Sequence, residues 1–111
     1  MVLGKKIKKN KYSFLSGVYI DETIMARVVF ADALYDFAMN NAEKGVKKCL
    51  SAIKLNPMFT EPYLKLGEYY YVNKNDKKAL YYFIKAKSTP DYEKYRTQVE
   101  DMIRKIKQNG E

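Results

Sequence analysis

Cys49 and the carboxylates are the groups in this sequence that could do covalent or acid–base chemistry, and no histidine accompanies them. Without an imidazole there is no His base to activate a nucleophile and no His metal ligand. A lone cysteine cannot close an internal disulfide or build a thiolate zinc site. Two carboxylate pairs occur, Asp21-Glu22 and Glu100-Asp101. They fall at a helix start or on an exposed helix face, where they complement the helix dipole or solvate the surface. General acid–base catalysis needs a carboxyl group held in a pocket with a shifted proton affinity, and nothing in the pattern builds one. The 5 glycines are scattered, so no loop is suited to cradling a phosphate. The expectation is a protein that is not an enzyme and holds no cofactor or metal.

Binding is the remaining chemistry, and charge is the first place to look for it. The 111 residues carry 21 basic and 13 acidic side chains, a net +8. Lys5, Lys6, Lys8, Lys9 and Lys11 give residues 1–20 a charge of +5 with no acid, which leaves only +3 for the rest. The basic character is therefore that of an N-terminal arm. Arginine, whose fork suits phosphates and base edges, appears only at Arg27, Arg96 and Arg104. A solvated, solubilising excess of lysine is favoured over a nucleic-acid patch. The arm remains an alternative binder of nucleic acid or another anionic surface. Its apolar part, Tyr12 to Ile20, is interrupted by polar residues and followed by Asp21-Glu22, so it reads as an arm and not a cleaved export signal. No apolar run approaches the length of a membrane span. The single free thiol fits a reducing, cytoplasmic setting.

From Asp21 onward the periodicity is helical throughout. Asp21 caps a first helix in which Ile24, Val28, Ala31, Leu34, Tyr35 and Ala38 share a face, with Asp32, Asp36 and Asn40 opposite. That apolar face is expected to point inward. Asn40-Asn41 ends the helix. A second helix carries Gly45, Val46, Cys49, Ala52 and Ile53 and stops at Asn56-Pro57. A third starts at Thr60, with Pro62 tolerated in its first turn, and presents Tyr63, Leu66, Gly67 and Tyr70. After the turn at Asn73–Asp76 a fourth carries Ala79, Leu80, Phe83 and Ala86. Thr89-Pro90 then reads as the start of a last helix with Tyr92, Tyr95, Val99, Met102, Ile103 and Ile106 on one face.

Two stretches of this pattern superimpose. Asn41 and Asn75, Gly45 and Ala79, Val46 and Leu80, Cys49 and Phe83, and Ala52 and Ala86 are all separated by one and the same interval. A helix–turn–helix period of that length, about 34 residues, resembles the tetratricopeptide repeat. Residues 60–91 carry the resemblance best, with Tyr63, Leu66-Gly67, Tyr70, Ala79, Phe83, Ala86 and Pro90 at the family's characteristic positions. The fold class expected is all-α: antiparallel helix pairs stacked as a short right-handed solenoid of about five helices. The division is an arm at 1–20 and a helical domain at 21–111, with repeats at about 24–57 and 58–91 and a capping helix at about 90–108. In the first helix the period conflicts with the apolar face. Strict spacing would bury Val29, Asp32, Ala33 and Asp36, and buried unpaired carboxylates are costly. The expectation is a slipped or shortened first helix.

The resemblance implies an interaction module, an adaptor or small chaperone, whose first helix of each pair lines a concave groove. The groove positions expected are Leu64, Glu68 and Tyr71 on the third helix and Asp32 and Asp36 on the first. Such a lining suits a basic peptide or helix of a partner protein with apolar anchors, and not the acidic C-terminal tails bound by the family's chaperone clamps. The arm's Lys8 to Leu15 has that composition itself, which points to packing within the subunit or to a homo-oligomer by arm exchange. The run Tyr69-Tyr70-Tyr71 cannot form one stacking platform, because successive helical side chains point about 100° apart. Cys49, on a buried face, reads as a small packed hydrophobe.

Overall fold

Five α-helices and no strand make up residues 21–109, the part of the chain that the computed structural model describes. They are α1 (Glu22–Ala38), α2 (Ala42–Leu55), α3 (Thr60–Val72), α4 (Asp76–Ala86) and α5 (Arg96–Asn109). A short 3₁₀ turn, Tyr92–Tyr95, precedes α5. The largest helix–helix interfaces join α1 to α2 and α3 to α4, with thinner ones between α2 and α3 and between α4 and α5.

The two helix pairs are built by the same turn. In the first, Asn40 has φ 66°, and one repeat later Lys74 has φ 62°. Asn41 N–H donates to Asp36 O at 2.7 Å and Asn40 N–H to Phe37 O at 3.2 Å. Asn75 N–H donates to Tyr70 O at 2.8 Å and Lys74 N–H to Tyr71 O at 3.0 Å. This is the Schellman closure of a helix end, in which one left-handed residue turns the chain and satisfies the last carbonyls. Glycine is the usual occupant. Asn40 adopts the conformation readily, and Lys74 does so at a cost of about 1–2 kcal/mol.

Burial follows the same interval. Val29 and Tyr63, Phe30 and Leu64, Ala33 and Gly67, Cys49 and Phe83, and Ala52 and Ala86 are matched positions, and all are buried. The period therefore runs through the side of α1 that meets α2, although Val28 and Asp32 are exposed where Pro62 and Leu66 are buried, and the expected slip is not there. Val29, Ala33 and Asp36 face α2, whereas Ile24, Val28, Ala31, Leu34, Tyr35 and Ala38 are exposed. The carboxylate argument fails because Asp32 is exposed and the buried Asp36 is not unpaired: Lys48 of α2 reaches it at 2.7 Å. The apolar periodicity that suggested an inward face belongs to the outside of α1.

Two apolar clusters form the interior. One joins α1 and α2 to Leu66 of α3. The other joins Tyr63 and Leu64 to Ala79, Phe83 and Ala86, with Val99 and Ile106 of α5 closing it. The last helix thus covers the face that the second pair would otherwise expose. It begins later than the sequence suggested. Thr89 does not cap it; its hydroxyl donates to Ala86 O at 2.7 Å, closing α4, and lies 2.6 Å from the buried Thr60 hydroxyl.

The approach within the second pair is tight at Gly67, where an added Cβ would lie 2.8 Å from the ring of the fully buried Phe83. Gly67→Ala should therefore cost about 1–3 kcal/mol despite its better helix propensity. In a Phe83→Leu background the same change should cost less, since the smaller side chain vacates the clash. Chemical denaturation of the four proteins measures this coupling. Equal costs in both backgrounds would mean that the ring does not set the approach.

Candidate binding groove

The groove is assembled mainly on one side of α3. Lys65, Glu68, Tyr69 and Val72 recur at helical spacing, so they share a face. With Tyr71 and Asn73 they line a hollow of about 410 Å³, walled by Phe37 from the end of α1 and Met102 from α5. Phe37 can lie there because Gly45 opposite it has no side chain; a Cβ at that point would sit 2.7 Å from the ring. The Phe37 and Tyr69 rings meet at 5.7 Å between centroids, tilted by 52°. Lys65 Nζ stands 4.9 Å above the Phe37 ring, so its cation is held on an aromatic face. Gln98 Nε2 of α5 donates to Glu68 at 3.0 Å and fixes that carboxylate at the rim. Val72 is 76% exposed, an aliphatic side chain left in water beside half-buried Tyr71. The hollow is apolar with one cation and one anion on its rim. That arrangement can take an apolar side chain and orient its polar neighbours; it holds no proton-transfer pair.

Of the residues expected from sequence, Glu68 and Tyr71 line this hollow. Leu64 does not line it and is 5% exposed in the cluster with Phe83 and Val99. Asp32 and Asp36 are elsewhere. Both turn to Lys48 on α2, at 3.6 Å and 2.7 Å. The Lys48 ammonium is held above the ordinary lysine range chiefly by its hydrogen bond to Asp36, with the Asp32 charge adding and desolvation opposing. Its stabilising contribution is present at neutral pH and is lost only as pH rises through that raised value. Lys5, Lys6, Lys8, Lys9 and Lys11 lie outside the described residues. Sequence reasoning missed Phe37, Lys65, Tyr69, Val72, Asn73 and Met102. For Phe37 a signal existed: it stands one full repeat before Tyr71.

Matched positions in the two pairs hold different chemistry. One repeat beyond Asp36 and Lys48 stand Tyr70 and Tyr82. Their rings stack at 5.8 Å with planes 9° apart. Burial pushes the Tyr82 phenol up, and neighbouring Tyr70 and Tyr81 add to it. An ion pair in one helix pair is replaced by stacked rings in the other.

A second, smaller hollow of about 240 Å³ lies near the start of α3, between Arg27 and Thr23 of α1 and Lys94 and Tyr95 before α5. Among the described residues no group of three or more Cys, Asp or Glu side chains is arranged to hold a metal ion. None of their helices is long and apolar enough to cross a membrane. No family model, curated protein or solved structure matches this chain.

Cys49 is fully buried among Ala33, Ala52 and Leu66. Burial pushes its thiol up to about 12, with Lys65 pulling weakly the other way. Only the thiolate is a nucleophile, so the folded protein should react with an aromatic disulfide reagent at pH 8 at a rate set by opening of the fold. Mild urea should accelerate the reaction in step with that opening. Rapid stoichiometric labelling of the folded protein would contradict the packing described for α2.

Proposed function

We propose that this chain is a tetratricopeptide-like interaction module, an adaptor or small chaperone, that binds a helix or extended peptide of a partner protein in the hollow on α3. The observation that carries this reading is the convergence of Phe37, Tyr69, Tyr71, Val72 and Met102, from α1, the end of α3 and α5, on one apolar hollow. Residues of matched register, Phe37 and Tyr71, contribute from successive pairs, as the repeat predicts. A large exposed aliphatic beside half-buried aromatics is the kind of surface that gains from covering an apolar anchor. With Asp32 and Asp36 engaged by Lys48, the groove keeps Glu68 and Lys65 for steering. Affinity would then come from one or two aliphatic or aromatic anchors, with a basic residue set near Glu68. The role is binding without catalysis.

Selection of peptides from a random display library against the full chain tests this. Enriched peptides should share an apolar anchor and bind in the micromolar range. Val72→Glu should weaken them at least tenfold, about 1.4 kcal/mol, by isothermal titration. The same variant should melt as the parent does, since Val72 is solvent-facing. Peptides that bind Val72→Glu and Tyr71→Ala as well as the parent would place recognition elsewhere and overturn the proposal.

A further inference from the structure

The side of α1 opposite Val29 and Ala33 is apolar and faces solvent. Ile24, Val28, Leu34, Tyr35 and Met39 are between 41% and 61% exposed there, and Ala31 and Ala38 are exposed with them. Their order is that of a helix-pairing seam. Ile24, Val28, Ala31, Tyr35 and Ala38 follow one another at alternate steps of four and three residues. Those are the d, a, d, a and d positions of two heptads, the places that meet when two helices wind together. Val28, a β-branched residue, is at an a position, as parallel two-stranded pairs favour. The alanine layers on either side of Tyr35 leave room for its ring.

The two edges of the seam complement each other. Arg27 and Leu34 occupy g positions on one edge, and Asp32 and Met39 occupy e positions on the other. In a parallel pair the g residue of one helix meets the e residue five places further along its partner. Arg27 then meets Asp32 of the partner subunit, and Leu34 meets Met39 of the partner subunit. Charge faces opposite charge, and apolar faces apolar. An antiparallel pair brings like edges together, which sets Asp32 near Asp32 of the partner subunit and leaves Arg27 without an acid. Both charged residues are available. Arg27 makes no ion pair among the described residues. Asp32 is 55% exposed and lies 3.6 Å from Lys48, which sits closer to Asp36. We propose that two copies of this chain pair in parallel along the outer face of α1. The seam from Ile24 to Ala38 is about 21 Å long. α1 is already folded against α2, so pairing carries no cost of helix nucleation. The area is small for a stable complex, so half of the chain should be paired on the order of 100 µM. The seam shares no residue with the hollow on α3, so pairing and peptide binding can fail independently.

Sedimentation of the full chain from about 5 µM to about 1 mM tests this. The mass should rise from 13.0 kDa toward twice that value. Val28→Asp should hold the chain at the single-copy mass. Val28 lies outside both clusters, so circular dichroism of the dilute variant should show unchanged helix content. Arg27→Asp should weaken pairing about tenfold, since it sets acid against acid twice in the symmetric pair, and adding Asp32→Arg should restore it. Ile24→Cys reads the direction. In a parallel seam it lies against its own copy and should form a disulfide between copies under mild oxidation, with Cys49 buried and uninvolved. A mass that stays at 13.0 kDa across the range would overturn the proposal, as would a rise that Val28→Asp leaves intact. An Ile24→Cys chain that links only to an Ala38→Cys chain, in a mixture of the two, would make the pair antiparallel and overturn it as well.

Discussion

At Gly67 the backbone of α3 comes so near Phe83 that a single carbon cannot be added without moving the ring. Close approach of the two helices in each pair is the constraint from which the rest follows. It requires a small residue on the first helix, Ala33 or Gly67, opposite the residue that fills the gap from the second, Cys49 or Phe83. Volumes compensate across the two pairs. Alanine faces the small thiol, and glycine faces the large ring, so each interface fills at similar backbone geometry. The matching Schellman turns then return the chain at the angle that keeps these positions opposed.

Once the pairs are set, the faces left over acquire their character by position. The side of α3 beyond the interface meets Phe37 and Met102 and becomes the apolar hollow. The side of α4 beyond its interface is closed by Val99 and Ile106 of α5. The outer side of α1 keeps Ile24, Val28 and Tyr35 exposed among the described residues. The polar insertions sit where they can be compensated. Asp36 is buried beside Lys48, and Thr60 beside Thr89, whose own hydroxyl donates to Ala86 O.

Most of the helix boundaries were legible because their punctuation is chemical. Asp21, Asn41, Pro57, Pro62 and the Asn73–Asp76 segment each have a local reason to start or stop a helix. The spacing of small and large residues also made the pairing legible. The inward face of α1 was not. The helix is apolar on both sides, Met25, Ala26, Val29, Phe30 and Ala33 on one and Ile24, Val28, Leu34 and Tyr35 on the other, so periodicity does not choose between them, and no sequence rule says that Lys48 will reach a carboxylate from the neighbouring helix. The inward side of α1 is the one that buries Met25, Ala26, Val29, Phe30 and Ala33, with Lys48 compensating Asp36 at its edge. The late start of α5 was equally hidden, since Thr89-Pro90 has the form of a helix start but Thr89 closes α4 instead. Of the candidate site, Glu68 and Tyr71 could be read from the register of α3, while Met102 and Phe37 join it only through tertiary packing.

The two helix pairs are one structure repeated, with Asp36 and Lys48 occupying the places of Tyr70 and Tyr82. The most direct measurement of this equivalence is thermal melting of Asp36→Tyr, Lys48→Tyr and the double variant in the otherwise complete chain. Lys48→Tyr leaves the buried Asp36 without its cation, and Asp36→Tyr leaves Lys48 only the more distant Asp32, so each single substitution should lower the melting temperature. The double variant recreates the stacked rings of the second pair in the first, so it should melt cooperatively and above either single variant. A double variant that melts below both, with the two losses adding, would show that these positions are not equivalent and would contradict the account.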